Sequence, residues 1–283
     1  MTMEAGLIEK KKRGKVGRVR KAIKKKRCRT KICPSAPIVL QKLFDSCREV
    51  FKGPGTVPPP RDVQNLRQIL DCMKPEDVGL SRDLLFFKPE SVIKGTPRVK
   101  YTTIYKCTNF SLCIFFLPRT AVIPLHNHPG MTVFSKLLLG SMHIKAYDWV
   151  DPVKFESYSM PSSNMRLARM KANTLFTAPC DTSVLYPTSG GNIHSFMAVT
   201  PCAVLDVLGP PYSNEDGRDC TYYKDLPFSV SRSDCSVVES KEGEGCFGWL
   251  EEIDMPKDLM MEGVEYLGPQ IIDFSSVSVD VDV

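Results

Sequence analysis

No stretch of the 283 residues holds the roughly 20 consecutive apolar side chains that a membrane-spanning helix needs. The most conspicuous apolar run is Leu112 to Leu117. The first thirty residues hold no hydrophobic block either, so nothing there reads as a secretion signal. Cysteine is plentiful, at 11, but no two residues form a CxxC pair and the count is odd. A zinc ribbon or a disulfide scaffold is therefore disfavoured. The expectation is free thiols in a reducing compartment, several of them buried as small hydrophobes. Histidine is scarce, with four residues in the whole chain. Also missing is any even spread of positive charge. Residues 1–33 carry fourteen Lys and Arg against Glu4 and Glu9, whereas the remaining 250 residues carry 24 basic and 30 acidic side chains. The net charge of +6 thus belongs to a tail on a mildly acidic body. A nucleic-acid surface covering the whole protein is not indicated.

What is present divides the chain in two. Residues 1–36 read as a disordered basic tail, because like charges at this density repel and cannot build a core. Its two clusters, Lys10, Lys11, Lys12, Arg13 and Lys24, Lys25, Lys26, Arg27, are separated by about ten residues containing Gly14 and Gly17. Two short basic blocks with a spacer resemble a bipartite nuclear-import signal; a solubilising tail and a phosphate-binding arm are the competing readings. Residues 37–283 are expected to form one folded domain. Val39, Leu40, Leu43, Phe44, Cys47, Val50 and Phe51 recur with helical spacing after Pro37. A second helix is expected from Arg61 to about Met73, with Val63, Leu66, Ile69 and Leu70 on one face. Both helices are expected to pack on the outside of the region beyond them.

From Val99 the texture changes to short β-type runs: Val99–Cys107, Leu112–Leu117, Thr120–His128, Thr132–Leu139, Ser141–Val150, Asn173–Ala178, Ser183–Tyr186, His194–Val199 and Ala203–Leu208. Turn residues such as Pro129-Gly130, Gly140, Pro179 and Gly190-Gly191 separate them. Eight or more strands at this spacing predict a mainly β fold, a barrel or jelly-roll sandwich. The Ser/Val/Asp-rich end from Ser275 to Val283 reads as frayed. Nothing in the periodicity argues for an oligomer, so a monomer is expected.

Three of the four histidines form a pattern. His126 and His128 stand at i and i+2 of an apolar run, where strand alternation would turn both rings to one face. His194 follows the turn Pro187 to Ile193. Imidazole suits iron, zinc, copper or nickel, and three on one face leave coordination positions open. An HxH pair alone is as well explained by two polar strand residues; the third histidine after a Gly-rich turn is what shifts the reading. His143 alternates with Lys145 and Tyr147 on a polar face and is left out.

The segment His126-Asn127-His128-Pro129-Gly130, continued to Gly140, resembles the first motif of the cupin superfamily, and Pro187 to His194 is similar to the second. Where cupins usually carry a glutamate five residues after the second histidine, this chain has Val133. Phe115 to Met131, Tyr147-Asp148-Trp149, Asp206 to Tyr212 and Cys220-Thr221-Tyr222-Tyr223 together resemble the plant cysteine oxidases of the cysteamine-dioxygenase branch, over roughly residues 37–250. The resemblance implies a cupin double-stranded β-helix and an Fe(II) centre held by His126, His128 and His194. It implies use of O2 to oxidise the N-terminal cysteine of target proteins, such as ethylene-response transcription factors, to the sulfinic acid. In that family the product marks the target for the arginylation branch of N-degron degradation, a hypoxia response, and fits residence in nucleus and cytoplasm. Both oxygen atoms enter the sulfur, so no reducing co-substrate or organic cofactor is required.

Asp206 interrupts the apolar run 203–208 and, buried, needs a partner. The resemblance makes it an acceptor for the substrate's ammonium or an active-site water; a strand-end carboxylate satisfied by backbone or a basic group is the plainer alternative. Tyr212, after Gly209-Pro210-Pro211, is expected to orient the thiol or the oxygen adduct, or else to pack on the barrel rim. Cys220 and Tyr222 resemble positions that become covalently cross-linked in animal cysteamine dioxygenase, though a free cysteine is the simpler expectation. Asp148 is expected to cap a strand. Two readings compete with the dioxygenase: a non-catalytic nuclear cupin binding nucleic acid through its tail, and a cupin using another metal for a reaction such as sugar isomerisation. The acidic body argues against the first, and Val133 against the second.

Overall fold

The structure is a computed structural model that describes residues 37–87, 97–150, 164–227, 246–257, 259 and 261–273. Both basic clusters, the expected disorder of residues 1–36 and the end from Ser275 to Val283 lie outside the described residues.

Two helices come first. α1 (Ile38–Val50) buries Leu40, Leu43, Phe44 and Cys47, the i, i+3, i+4, i+7 stripe of an amphipathic helix. α2 (Pro60–Cys72) starts with proline at its first position, where the missing N–H would have had no partner anyway, and buries Val63, Leu66, Ile69 and Leu70. Among the described residues twelve strands come after them: β1 (Lys100–Lys106), β2 (Ser111–Leu117), β3 (Val122–His126), β4 (Thr132–Leu139), β5 (Ser141–Trp149), β6 (Met165–Thr177), β7 (Ser183–Leu185), β8 (Ile193–Ala198), β9 (Cys202–Gly209), β10 (Tyr222–Pro227), β11 (Phe247–Ile253) and β12 (Glu262–Gly263). They form a six-stranded sheet, β12-β1-β2-β9-β4-β7, and a second set, β10-β11-β6-β5-β8-β3, that closes on itself. The arrangement is mainly β with the helices outside, as the resemblance to the cupins implies. Among the described residues no helix is long and apolar enough to cross a membrane.

Strand alternation explains where each face goes. On β9, Ala203, Leu205 and Val207 join the core under α1 and α2, together with Leu112, Ile114 and Phe116 of β2. Cys202 and Val204 point the other way, into a core shared with Ile144 of β5 and Phe196 of β8. Period two places Asp206 on that inner side. Buried Lys136 of β4 faces the helices, where its ammonium donates to the Cys180 carbonyl at 2.7 Å and lies 3.6 Å from the Asp71 carboxylate.

Four strands go beyond the ranges that periodicity marks. β6 begins at Met165, well before the expected start at Asn173, and β10, β11 and β12 carry no clear strand pattern in the sequence. β11 pairs with the early half of β6, and β10 with β11, so these strands cover a further core of Leu125, Tyr147, Ala168, Ile193 and Leu250. The chain then returns to α1. Gln41 and Ile272 exchange two hydrogen bonds, of 3.0 Å each, and Asp273 meets Arg48 and the Tyr105 hydroxyl.

Candidate metal centre

His126 closes β3 and pairs with His194 of β8 on one side and with Tyr222 of β10 on the other. The strand stops there. His128 therefore does not share a strand face with His126, as alternation predicts; it is delivered by the loop after β3, where the Met131 N–H closes a turn onto the His128 carbonyl. The three rings still converge, with centroids 4.8–4.9 Å apart and all three residues buried.

Hydrogen bonds fix which nitrogen two of the rings offer. His126 Nδ1 lies 2.8 Å from the Pro124 carbonyl, which can only accept, so Nδ1 carries the proton and Nε2 keeps its lone pair. The Tyr212 hydroxyl donates to the Asn127 carbonyl at 2.7 Å, leaving its oxygen to accept from His128 Nδ1 at 2.9 Å. His128 Nε2 then faces His194 Nε2 at 3.0 Å. A proton on His194 Nε2 makes this an N–H···N hydrogen bond, and a metal ion between the two nitrogens would take the proton's place. For ligand bonds of about 2.1 Å, a right angle at a metal puts two nitrogens about 3.0 Å apart. The ligand atoms of the three histidines all lie within 4.8 Å of one another. Burial holds all three rings below the usual imidazole range; for His128 and His194 the neighbouring rings push further the same way. Neutral imidazole is the form that binds a metal. The residues present therefore fit a metal ion.

Val133 is fully inside, in a cluster with Cys113, Met131, Leu185 and Leu208, so no carboxylate stands at that position. A cavity of about 70 Å³, walled largely by Val133, Ile144, Ala146, Leu185 and Phe196, reaches His194.

Asp206 sits mid-strand, directly opposite Ser135 of β4 and Cys113 of β2. It is 4% exposed, and its Oδ1 has no hydrogen-bond partner among the described residues. Burial pushes its pKa up to about 7, an effect the Ser135 hydroxyl tempers. It lies neither at a strand end nor in any ion pair described, so the plainer explanation of this residue finds no support in its surroundings. The Tyr212 hydroxyl is raised well above its ordinary pKa, first by burial and then by Cys220, Tyr222 and Asp206, the groups ranged about it. Its contact with the histidine cluster runs through His128 Nδ1. Cys220 is a free thiol, raised by burial and partly offset by hydrogen bonds with the Tyr222 and Tyr212 hydroxyls. The Tyr222 ring centroid lies 6.4 Å from that of His126. His143 stays on the outer face of β5, opposite Met197 and Leu175.

Two residues that site reasoning passed over are built into the centre. Asp148, expected to cap a strand, accepts the backbone N–H groups of Gly191 and Asn192. Asn192 hydrogen-bonds both backbone groups of His128. Asp148 was marked only by the Tyr147-Asp148-Trp149 resemblance, and nothing in residue type or spacing singled out Asn192.

A two-layered β fold in which three neutral imidazoles converge, with no carboxylate among them, defines a β-barrel protein with a three-histidine site fit to hold a metal. Residues 69–271 match the model of the PCO_ADO family, and the chain belongs to that family. It is 51% identical over 255 residues to plant cysteine oxidase 2 of Arabidopsis thaliana, covering 89% of this chain and 88% of that one. Plant cysteine oxidase 1 of the same plant is 49% identical, with 83% and 80% covered. The 2-aminoethanethiol dioxygenase of Mus musculus is 31% identical over 75% of this chain and 86% of its own.

Proposed function

We propose that this chain is an iron(II)-dependent thiol dioxygenase that oxidises the N-terminal cysteine of proteins to the sulfinic acid with O2. The observation that carries the reading is the convergence of three neutral imidazoles; Asp206, a buried carboxyl whose Oδ1 has no partner among the described residues, supports it. Nitrogen-only ligation suits iron, zinc, copper or nickel alike; the likeness to proteins named as cysteine oxidases and a thiol dioxygenase favours iron. When bound, the metal supplies a single centre at which a thiolate and dioxygen meet, which removes the entropic cost of their encounter.

The chain's own residues do the rest. The Pro124 carbonyl and the Tyr212 hydroxyl hold protons on Nδ1 of His126 and His128, so both rings present Nε2 to the metal. Val133 adds no ligand and keeps water off that side. Asp206 Oδ1 accepts a hydrogen bond from the α-ammonium of the incoming cysteine. That cation stabilises the carboxylate against the cost of burial. Cys220 and Tyr222 border the Tyr212 hydroxyl and shape the same side of the site; a thioether between them would be read by peptide mapping.

The physiological substrates are proteins with an exposed N-terminal cysteine, such as ethylene-response transcription factors, whose oxidation feeds the arginylation branch of N-degron degradation when oxygen is present. The clusters Lys10–Arg13 and Lys24–Arg27 direct part of the population to the nucleus, with the remainder cytoplasmic, and the protein acts as a monomer. The test is mass spectrometry of a peptide with a free N-terminal cysteine, incubated with Fe(II)-loaded protein in air, anaerobically, and with His194→Ala. A gain of two oxygen atoms only in air and only with the intact site is expected. If the peptide is untouched while 2-aminoethanethiol is oxidised, the protein-substrate reading is wrong and the small-thiol activity named for the mouse relative takes its place.

A further inference from the structure

We infer that Asn192, locked in place by Asp148, is a positioning residue that ties the two histidine-bearing segments together and presets the ligand geometry before a metal arrives. The inference rests on the metal-centre reading above. Asn192 is 7% exposed and uses its whole carboxamide. Its Oδ1 accepts from the His128 N–H at 3.1 Å, while Nδ2 donates to the His128 carbonyl at 2.9 Å and to the Tyr186 carbonyl at 2.7 Å. A side-chain amide that bonds both backbone groups of one residue does what a neighbouring strand would do. It does so where β3 has ended and His128 has no ladder of its own. Because Asn192 lies two residues before His194, one side chain fixes the distance between two of the three ligands.

Asp148 holds the other end. Its Oδ1 accepts from the Gly191 N–H at 2.8 Å and from the Asn192 N–H at 3.0 Å, and Lys171 Nζ stands 4.0 Å from Oδ2. The turn requires glycine at 191. Its φ is +83°, and a Cβ there would lie 2.8 Å from the Cβ of Ala146. The clamp thus runs from β5 through the glycine turn to Asn192, and from there to His128. Its physical task comes from the 3.0 Å approach of His128 Nε2 to His194 Nε2. In the metal-free protein a proton on His194 Nε2 can make that approach an N–H···N hydrogen bond, and the clamp keeps the two nitrogens at a separation that also suits two ligands of one metal. Partners of this kind, one step removed from the metal, typically change affinity by about 10–100-fold when lost.

The test compares Fe(II) affinity, by competition with a chromogenic chelator, in the full chain and in Asn192→Ala, Asn192→Asp and Asp148→Asn. Lys136→Met is the control; it breaks a buried polar contact on the helix side of the sheet, away from the histidines. Thermal unfolding of each metal-free protein and the visible spectrum of its Co(II) form accompany the titrations. Asn192→Ala is expected to lower Fe(II) affinity about 10–100-fold and to alter the Co(II) spectrum. Lys136→Met should lose thermal stability with affinity and spectrum unchanged. Should Asn192→Ala not fold, the near-isosteric Asn192→Asp decides: it sets an acceptor against two carbonyls and should lose affinity by a similar factor, with Asp148→Asn falling less. Affinity in the folded Asn192 variants within about twofold of the parent, or a loss no greater than that of Lys136→Met, would overturn the inference. Failure of the parent itself to bind Fe(II) or Co(II) would instead remove the metal reading on which it rests.

Discussion

The carboxyl of Asp206, buried mid-strand with its pKa pushed up to about 7, couples the site to the stability of the fold. The unfolded chain releases this proton near pH 4, whereas the folded metal-free protein holds it to about pH 7. Between those values the native state binds more protons than the unfolded state. Stability therefore falls as pH rises through that window and is level above it, by about 4 kcal/mol at most. Asp206→Asn should flatten this dependence, leaving the metal-free variant more stable than the parent at pH 8 and no more stable at pH 4. Denaturant midpoints at the two pH values measure it, and equal slopes in both proteins would contradict it. The same substitution should raise KM for the cysteine peptide, since the acceptor for its ammonium is gone. Tyr212→Phe leaves the His128 Nδ1–H without its acceptor, a buried loss of about 1–3 kcal/mol. Chelator competition should find Fe(II) held about 10–100-fold more weakly. At this scale the sequence was most legible where chemistry is scarce: three of four histidines converge, and Asp206 stands out because a charge in an apolar run is costly. Asn192 was not legible. Its importance lies in three hydrogen bonds to backbone groups, which leave no mark in residue type or spacing.

Elements were legible to the degree that their burial is one-sided. α1 and α2 lie within a residue of the ranges their apolar stripes imply, and β2, β4, β5 and β9 match continuous or alternating apolar runs. β10 and β11 were not, because Tyr222-Tyr223-Lys224-Asp225 and Leu250-Glu251-Glu252 show no clean alternation; they hold through pairing with the long β6 and through contacts such as that of Lys145 with Asp225. The HxH pattern picked out residues that do converge, but by another route, since a turn brings His128 to the cluster and the strand does not. The helices carry packing and no chemistry. Leu43→Ala, at a fully buried position of α1, should cost about 2–5 kcal/mol by denaturant unfolding. Its kcat on the peptide should match the parent's at a temperature where both are folded. A large fall in kcat at unchanged fold content would show that α1 does more than pack.

Across the whole molecule, charge and catalysis occupy different parts of the chain. The basic residues concentrate before residue 34, and the three-histidine centre lies in an acidic domain. A chain lacking residues 1–36 should oxidise the peptide at the parent's rate while a fluorescent fusion loses its nuclear enrichment. Unaltered distribution would remove the import reading. If the tail instead grips nucleic acid, binding should fall steeply with salt and vanish in the truncated chain.

The central claim is that His126, His128 and His194 hold a metal at which both atoms of dioxygen pass to one sulfur. The most direct measurement is turnover of an N-terminal cysteine peptide by the Fe(II)-loaded protein under ¹⁸O2 in ordinary water, read by mass spectrometry. The account predicts a sulfinate carrying two ¹⁸O atoms. A product bearing one ¹⁸O, oxygen drawn from water, or a disulfide as the sole product would contradict it.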